Sequence, residues 1–232
     1  IYIGVVGPVR TGKSTFIKQF MDKLVLPNIS GEYQKERAND ELPQSSSGRT
    51  IMTTEPKFIP EKGVQISLDD SSAMNVRLID CVGYIVPSAL GYIEGDQPRM
   101  VMTPWFEEPI PFNMAAEIGT QKVINEHSTI GLVITTDGSI SDIPRSEYEE
   151  AEERVIEELK GINKPFVILL NCMYPNSEES AALAAASCQR KVFFDLHSSG
   201  GAGHGILKYT ADIGCALMLA QAGDVHAVDD DL

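Results

Sequence analysis

Ile1-Tyr2-Ile3-Gly4-Val5-Val6-Gly7-Pro8-Val9-Arg10-Thr11-Gly12-Lys13-Ser14-Thr15 opens the chain with a strand, a glycine loop and a helix start in succession. Apart from one glycine, its first six residues are β-branched or aromatic, which favours a short buried strand. Gly7-Pro8 punctuates that strand. Residues 14 to 24 then place Phe16, Ile17, Phe20, Met21 and Leu24 at helical spacing. Between strand and helix, Gly7 to Ser14 satisfies G-x-x-x-x-G-K-[ST] in full.

That loop has a definite chemistry. Its glycines let backbone N–H groups curl around phosphate oxygens, and the helix N-terminus adds a positive dipole end. Lys13 supplies a cation to the β- and γ-phosphates, and the Ser14 hydroxyl can ligate Mg²⁺. The nucleotide-contacting set is therefore Gly7, Arg10, Thr11, Gly12, Lys13, Ser14 and Thr15, joined by Gly83 below. A plain glycine turn between strand and helix would need neither the lysine nor the hydroxyl.

The β-like run Asn75 to Ile79 closes on Asp80, where a second carboxylate would hold Mg²⁺ directly or through water. Asp80-Cys81-Val82-Gly83 forms D-x-x-G, the switch sequence of GTPase-like proteins, in which the Gly83 amide senses the γ-phosphate. Thr53 and Thr54 lie between a polar loop and the β-like run Lys57 to Leu68, where switch threonines close over Mg²⁺ and the γ-phosphate. The catalytic candidates are thus Thr53, Thr54 and Asp80, and the metal ligands Ser14, Thr54 and Asp80. After Gly83, small GTPases often carry a water-orienting glutamine, but here the residue is Tyr84. Water positioning then falls to the backbone, to Thr53 or Thr54, or to an arginine such as Arg10 or Arg49.

Guanine selection in this class uses N-K-x-D after a strand. The corresponding strand end reads Asn171-Cys172-Met173-Tyr174, with neither the lysine nor the aspartate that accepts from guanine N1 and N2. Adenine loses nothing comparable, so ATP is the expected nucleotide.

The remaining pattern is α/β. Helices are expected over Asn113 to His127, Arg145 to Lys160 and Glu178 to Arg190. Apolar strands are expected at Ile130 to Thr135, Pro165 to Leu170 and Val192 to Leu196. Together they predict a P-loop NTPase of GTPase-like form: a mostly parallel sheet with helices on both faces. Residues 27 to 56 are polar and read as a functional loop, and Val82 to Phe112 as a long Pro- and Gly-rich passage. Tyr84, Trp105 and Phe106 read equally as a lid or partner surface and as buried loop anchors.

The 232 residues allow one sizeable core, and the net charge of −14 disfavours nucleic acid and anionic membrane as partners. Acid concentrates in Glu147 to Glu158 and Asp224 to Asp231, both read as solvated faces. Four cysteines, Cys81, Cys172, Cys188 and Cys215, form no C-x-x-C pair and fit reduced packing residues. His197 and His204 flank a glycine run without a third ligand and read as loop residues. The longest apolar stretch, Ile213 to Ala222, is about half the ~20 residues of a membrane span, so no transmembrane segment is expected. The chain begins at Ile1 rather than Met, which suggests a trimmed N-terminus.

Longer motifs carry a closer resemblance. Residues 7 to 15, Asp40 to Ser45, Thr50-Ile51-Met52-Thr53-Thr54-Glu55-Pro56 and Asp80 to Tyr84 resemble the stage IV sporulation protein A family. So do Thr103 to Phe112, Glu126-His127-Ser128-Thr129-Ile130-Gly131 and Ile134-Thr135-Thr136-Asp137-Gly138. The resemblance runs to about residue 175. It implies a GTPase-fold ATPase that polymerises on the forespore surface, on the mother-cell cytoplasmic side, as the base for spore coat assembly. It also implies self-association in the full-length protein and coat or forespore membrane-anchor proteins as partners. By the same resemblance Lys13 belongs to the phosphate loop, Asp80 to the Mg²⁺ site, and Thr53 and Thr54 to nucleotide sensing and hydrolysis. The ATPase domain is expected over 1–196. Residues 197–232 form an atypical Gly/Ala/Asp-rich tail, of the kind a truncated gene or a shifted reading frame would give. Two other functions compete: a GTPase-type regulatory switch, and a structural module with a vestigial nucleotide site. Loss of N-K-x-D speaks against the first, and intact Lys13, Ser14 and Asp80 against the second.

Overall fold

A computed structural model describes residues 1–43, 55–67, 73–175, 177–186 and 191–194 of the chain. Strands β1 (Tyr2–Val6), β2 (Lys57–Ser67), β3 (Ala73–Asp80), β8 (Ile130–Thr136), β9 (Phe166–Asn171) and β10 (Lys191–Phe194) form one sheet in the order β10-β9-β8-β1-β3-β2. Every pairing is parallel except that of the edge strand β2 with β3.

Strand β1 sits where the strand order reverses. The chain leads through β2 and β3 on one side of it and through β8 to β10 on the other. In open α/β sheets the carboxyl ends of strands at such a point leave a crevice that receives ligands. The register puts Val5 beside Asp80 of β3 and Val6 beside Val133 of β8, so the Gly7 to Ser14 loop starts inside that crevice.

Alternating side chains load both faces, as expected for a parallel sheet covered on both sides. Ile3, Val5, Leu78, Leu132, Ile134 and Leu169 pack with Phe16, Ile17 and Phe20 of α1 (Lys13–Phe20). On the other face Val6, Ile79, Val133 and Ile168 pack with Val123 and Ile124 and with Val155, Ile156 and Leu159 of α4 (Glu149–Gly161). Val123 and Ile124 belong to a wider turn that continues α3 (Phe112–Lys122) to His127. In the same way α1 continues through Val25, so the helical spacing read over 14–24 and 113–127 describes two segments that each change pitch.

The polar segment read as a loop over 27–56 contains α2 (Glu32–Asp40). Only Ala38 of that helix is buried, so no apolar periodicity marked it in the sequence. The passage 82–112 contains two antiparallel hairpins off the main sheet, β4 (Ile93–Glu94) with β5 (Gln97–Pro98) and β6 (Met100–Thr103) with β7 (Phe106–Pro111). Helix α5 (Glu178–Ala186) precedes β10. The expectations for Arg49, Thr53, Thr54, Cys188, Cys215, His197, His204 and the 197–232 tail lie outside the described residues. No helix among the described residues is long and apolar enough to cross a membrane.

The acidic run 147–158 is not simply a solvated face. Glu152 is 3% exposed, Glu158 accepts the Tyr84 hydroxyl, and Glu147 accepts from both Ser88 N and Ser88 Oγ at 2.7 Å. Partners that no local pattern marks cover these carboxylates: Arg145 for Glu152, Tyr84 for Glu158 and Ser88 for Glu147.

Candidate nucleotide site

The loop between β1 and α1 is shaped by two glycines that no other residue could replace cheaply. Gly7 has φ 132°, and a Cβ there would lie 2.3 Å from the Ile134 carbonyl oxygen. Gly12 caps α1 at φ 93°, in the left-handed region. The first helical bond runs from Phe16 N to Gly12 O at 2.9 Å. The amides of Lys13, Ser14 and Thr15 therefore precede the helical ladder and carry no side-chain cap, which leaves them as anion donors at the helix start.

Lys13 is 5% exposed and folds back across the loop, donating to Pro8 O at 2.5 Å and Gly7 O at 3.3 Å. Burial lowers its pKa, and the charges of Cys81 and Asp80 oppose that shift. A lysine stripped of water in this way gains strongly from an approaching anion.

Ser14 and Asp80 meet as the sequence predicts. Ser14 Oγ donates to Asp80 Oδ2 at 3.1 Å, across 66 residues of chain. Among the described residues, the other carboxylate oxygen, Oδ1, is buried without a hydrogen-bond partner. Burial pushes the Asp80 carboxyl up from its ordinary value, against the pull of Lys13 and the Ser14 bond. An orphaned carboxylate oxygen beside a hydroxyl is the donor set that suits a hard divalent cation. Among the described residues no three His, Cys, Asp or Glu side chains gather into a metal cluster.

Gly83 closes the site from the β3 side. At φ 91°, its missing Cβ would lie 2.1 Å from Gly7 O and 2.7 Å from Lys13 Nζ. Tyr84 follows it and is a buried anchor, whereas Phe106 is 41% exposed. Trp105 lies 5.7 Å from Lys122 Nζ of α3. Arg10 is exposed at φ 62° on the loop, and Thr11 is buried with its hydroxyl donating to Pro8 O at 3.0 Å.

Three supports were not legible in the sequence as parts of the site. Asn171 Nδ2, at the end of β9, donates to Thr11 O at 3.0 Å. Val9 N donates to Tyr84 O at 2.9 Å, which bridges the loop to the turn after β3. Below the end of β8, Arg145 Nη1 donates to Thr135 Oγ1 at 3.0 Å and Thr136 O at 3.1 Å and pairs with Glu152. The N-K-x-D remnant at 171–174 was the one available signal for Asn171. Its first residue is kept as a strut, while Cys172 is buried and Met173 and Tyr174 are exposed.

Residues 1–193 match the family described as Stage IV sporulation protein A, ATPase domain. The chain is 63% identical over 183 residues to Stage IV sporulation protein A of Bacillus subtilis (strain 168), covering 79% of this chain and 37% of that protein. The proteins of the same name from Bacillus anthracis and Clostridioides difficile (strain 630) are 61% and 60% identical over 183 residues, with the same coverage of each chain. This chain thus spans little more than a third of the length of the relatives it matches. With a family match over residues 1–193 and relatives 60–63% identical over 183 residues, the chain belongs to the stage IV sporulation protein A family, through that family's ATPase domain.

Proposed function

We propose that this domain is a P-loop NTPase of GTPase-like form that binds and hydrolyses ATP with Mg²⁺. The observation that carries the reading is the Ser14 Oγ–Asp80 Oδ2 bond, with Oδ1 buried and without a partner among the described residues, and buried Lys13 in the same site. In this reading Ser14 and Asp80 hold the metal, and Lys13 moves from the Pro8 and Gly7 carbonyls to the phosphates. The bound cation would neutralise charge on the phosphate oxygens as the terminal phosphoryl group leaves. The amides at the start of α1 orient the phosphate chain, and Gly83 presents its amide to the terminal phosphate. Thr53 and Thr54 complete the site as sensing and hydrolytic residues.

ATP is preferred over GTP because Tyr174 stands where a guanine-binding aspartate would, and Cys172 replaces the lysine. For the full-length protein the reading extends to hydrolysis coupled to self-assembly on the forespore surface, with coat or membrane-anchor proteins as partners, as the resemblance implies. Phosphate release from ATP tests the enzymatic reading. The expected result is release that needs Mg²⁺ and is lost in Lys13→Ala. Release at an equal rate in excess chelator, or in Lys13→Ala, would overturn it.

A further inference from the structure

Tyr84 occupies the position after Gly83 at which a water-orienting glutamine is absent, and its side chain serves a different purpose. It is 2% exposed and runs into the face between α3 and α4. Its Oη donates to Glu158 Oε2 at 2.5 Å, and the Arg154 guanidinium stacks 4.3 Å from the ring centroid. Arg154 in turn reaches Glu117 of α3 at 2.9 Å and Glu158 at 3.4 Å. Gln121 Nε2 also donates to Glu158 Oε1 at 3.4 Å. Burial, then the bond to Glu158, raises the phenol pKa far above its usual range, so the hydroxyl stays a donor.

The main chain of the same residue faces the other way. Tyr84 O accepts from Val9 N at 2.9 Å, and Tyr84 forms a parallel bridge with Pro8. One residue earlier lies Gly83, pressed against Gly7 O and Lys13 Nζ. A glycine at φ 91° has many alternative backbone states, so neighbours must select one. An amide aimed at developing charge is useful only when it is held in place before the ligand arrives. Tyr84 meets both needs, with its ring fixed to two helices and its carbonyl fixed to the phosphate loop.

We propose that Tyr84 is a positioning residue whose hydroxyl latch to Glu158 holds the Gly83 peptide at the phosphate loop and so sets the discrimination of nucleoside triphosphate from diphosphate. The proposal rests on the reading of Gly83 as the amide that meets the terminal phosphate. The latch accounts for the missing glutamine: the position is committed to fixing the turn rather than to orienting water.

Tyr84→Phe removes one oxygen and keeps the ring in the core. The readouts are dissociation constants for ADP and a non-hydrolysable ATP analogue with Mg²⁺, and hydrogen exchange over residues 80–84 of the nucleotide-free chain. The preference for the analogue over ADP is expected to fall about fivefold or more while ADP affinity holds within about twofold, as for loss of one aimed donor. Exchange over 80–84 is expected to accelerate about tenfold as the turn opens locally. Glu158→Ala should reproduce both effects, and Glu158→Gln, which keeps an acceptor, should restore most of the preference. Equal weakening of both nucleotides, with a lower Tm and an unchanged preference, would overturn the proposal by reducing Tyr84 to a packing residue. If the unmodified chain bound neither nucleotide, the ATPase reading would fail separately, and exchange over 80–84 would still decide the latch, with an unchanged rate overturning it.

Discussion

Asn171 Nδ2 donates to the carbonyl oxygen of Thr11 at 3.0 Å, a buried bond that joins the end of β9 to the loop between β1 and α1 across 160 residues of chain. Asn171→Ala removes the donor and leaves the carbonyl without it, which costs about 1–3 kcal/mol. Thermal unfolding should show a Tm lower by several degrees, and titration should show ATP and ADP weakened alike. Loss of ATP affinity alone would mean that Asn171 acts on the terminal phosphate rather than on the loop.

Asp80 makes a prediction with two opposed halves. Its carboxyl is raised above 3.8 chiefly by burial. Between 3.8 and the raised value the unfolded chain has released a proton that the folded chain keeps. The contribution of this group to stability therefore falls as pH rises through that window, and the ionised form costs stability above it. Asp80→Asn should leave the nucleotide-free Tm at neutral pH unchanged or higher, while removing the Mg²⁺-dependent gain in ATP affinity. A variant that is clearly less stable, yet keeps the full Mg²⁺ effect, would contradict both halves.

The Arg145–Glu152 pair supports the end of β8, with side chains 19% and 4% exposed. Breaking a buried pair from one side leaves the other charge uncompensated, at a cost of about 3–5 kcal/mol. Glu152→Ala should therefore destabilise more than Glu153→Ala, its exposed neighbour. Chemical denaturation curves of the two variants make the comparison, and equal midpoints would show that the pair contributes nothing to the fold.

Thr53 and Thr54 are assigned by motif and family alone. Thr53→Ala combined with Thr54→Ala should keep ATP binding within a few-fold and reduce phosphate release by about two orders of magnitude, in line with loss of groups that act in the transition state. Hydrolysis at the unmodified rate would remove the threonines from the mechanism.

What could be read in advance follows a physical boundary. The loop Gly7 to Ser14, Asp80 and Gly83 were legible because their chemistry is written in contiguous residues with fixed spacing. Strands β1, β8 and β9 were legible because strands buried on both faces carry continuous apolar runs. Helix α2 was not, since a helix with one buried residue leaves no periodic trace. The hairpins of 93–111 were not, because their short strands are mostly exposed and interrupted by proline. Glu152 and Glu158 read as solvent-facing acid because the partners that cover them, Arg145, Thr135 and Tyr84, come together only in the fold. Tyr84 read ambiguously for the same reason, since its latch residues lie more than thirty positions away.

Lys13, Ser14 and Asp80 are proposed to form a Mg²⁺-dependent site that favours ATP. Calorimetric titration of the chain with ATP and GTP, each with Mg²⁺ and with chelator, reads that dependence and that preference together. One ATP should bind per chain, ATP should bind at least as tightly as GTP, and both chelator and Lys13→Ala should weaken binding severely. A tenfold preference for GTP, about 1.4 kcal/mol, or ATP binding indifferent to both Mg²⁺ and Lys13, would contradict it.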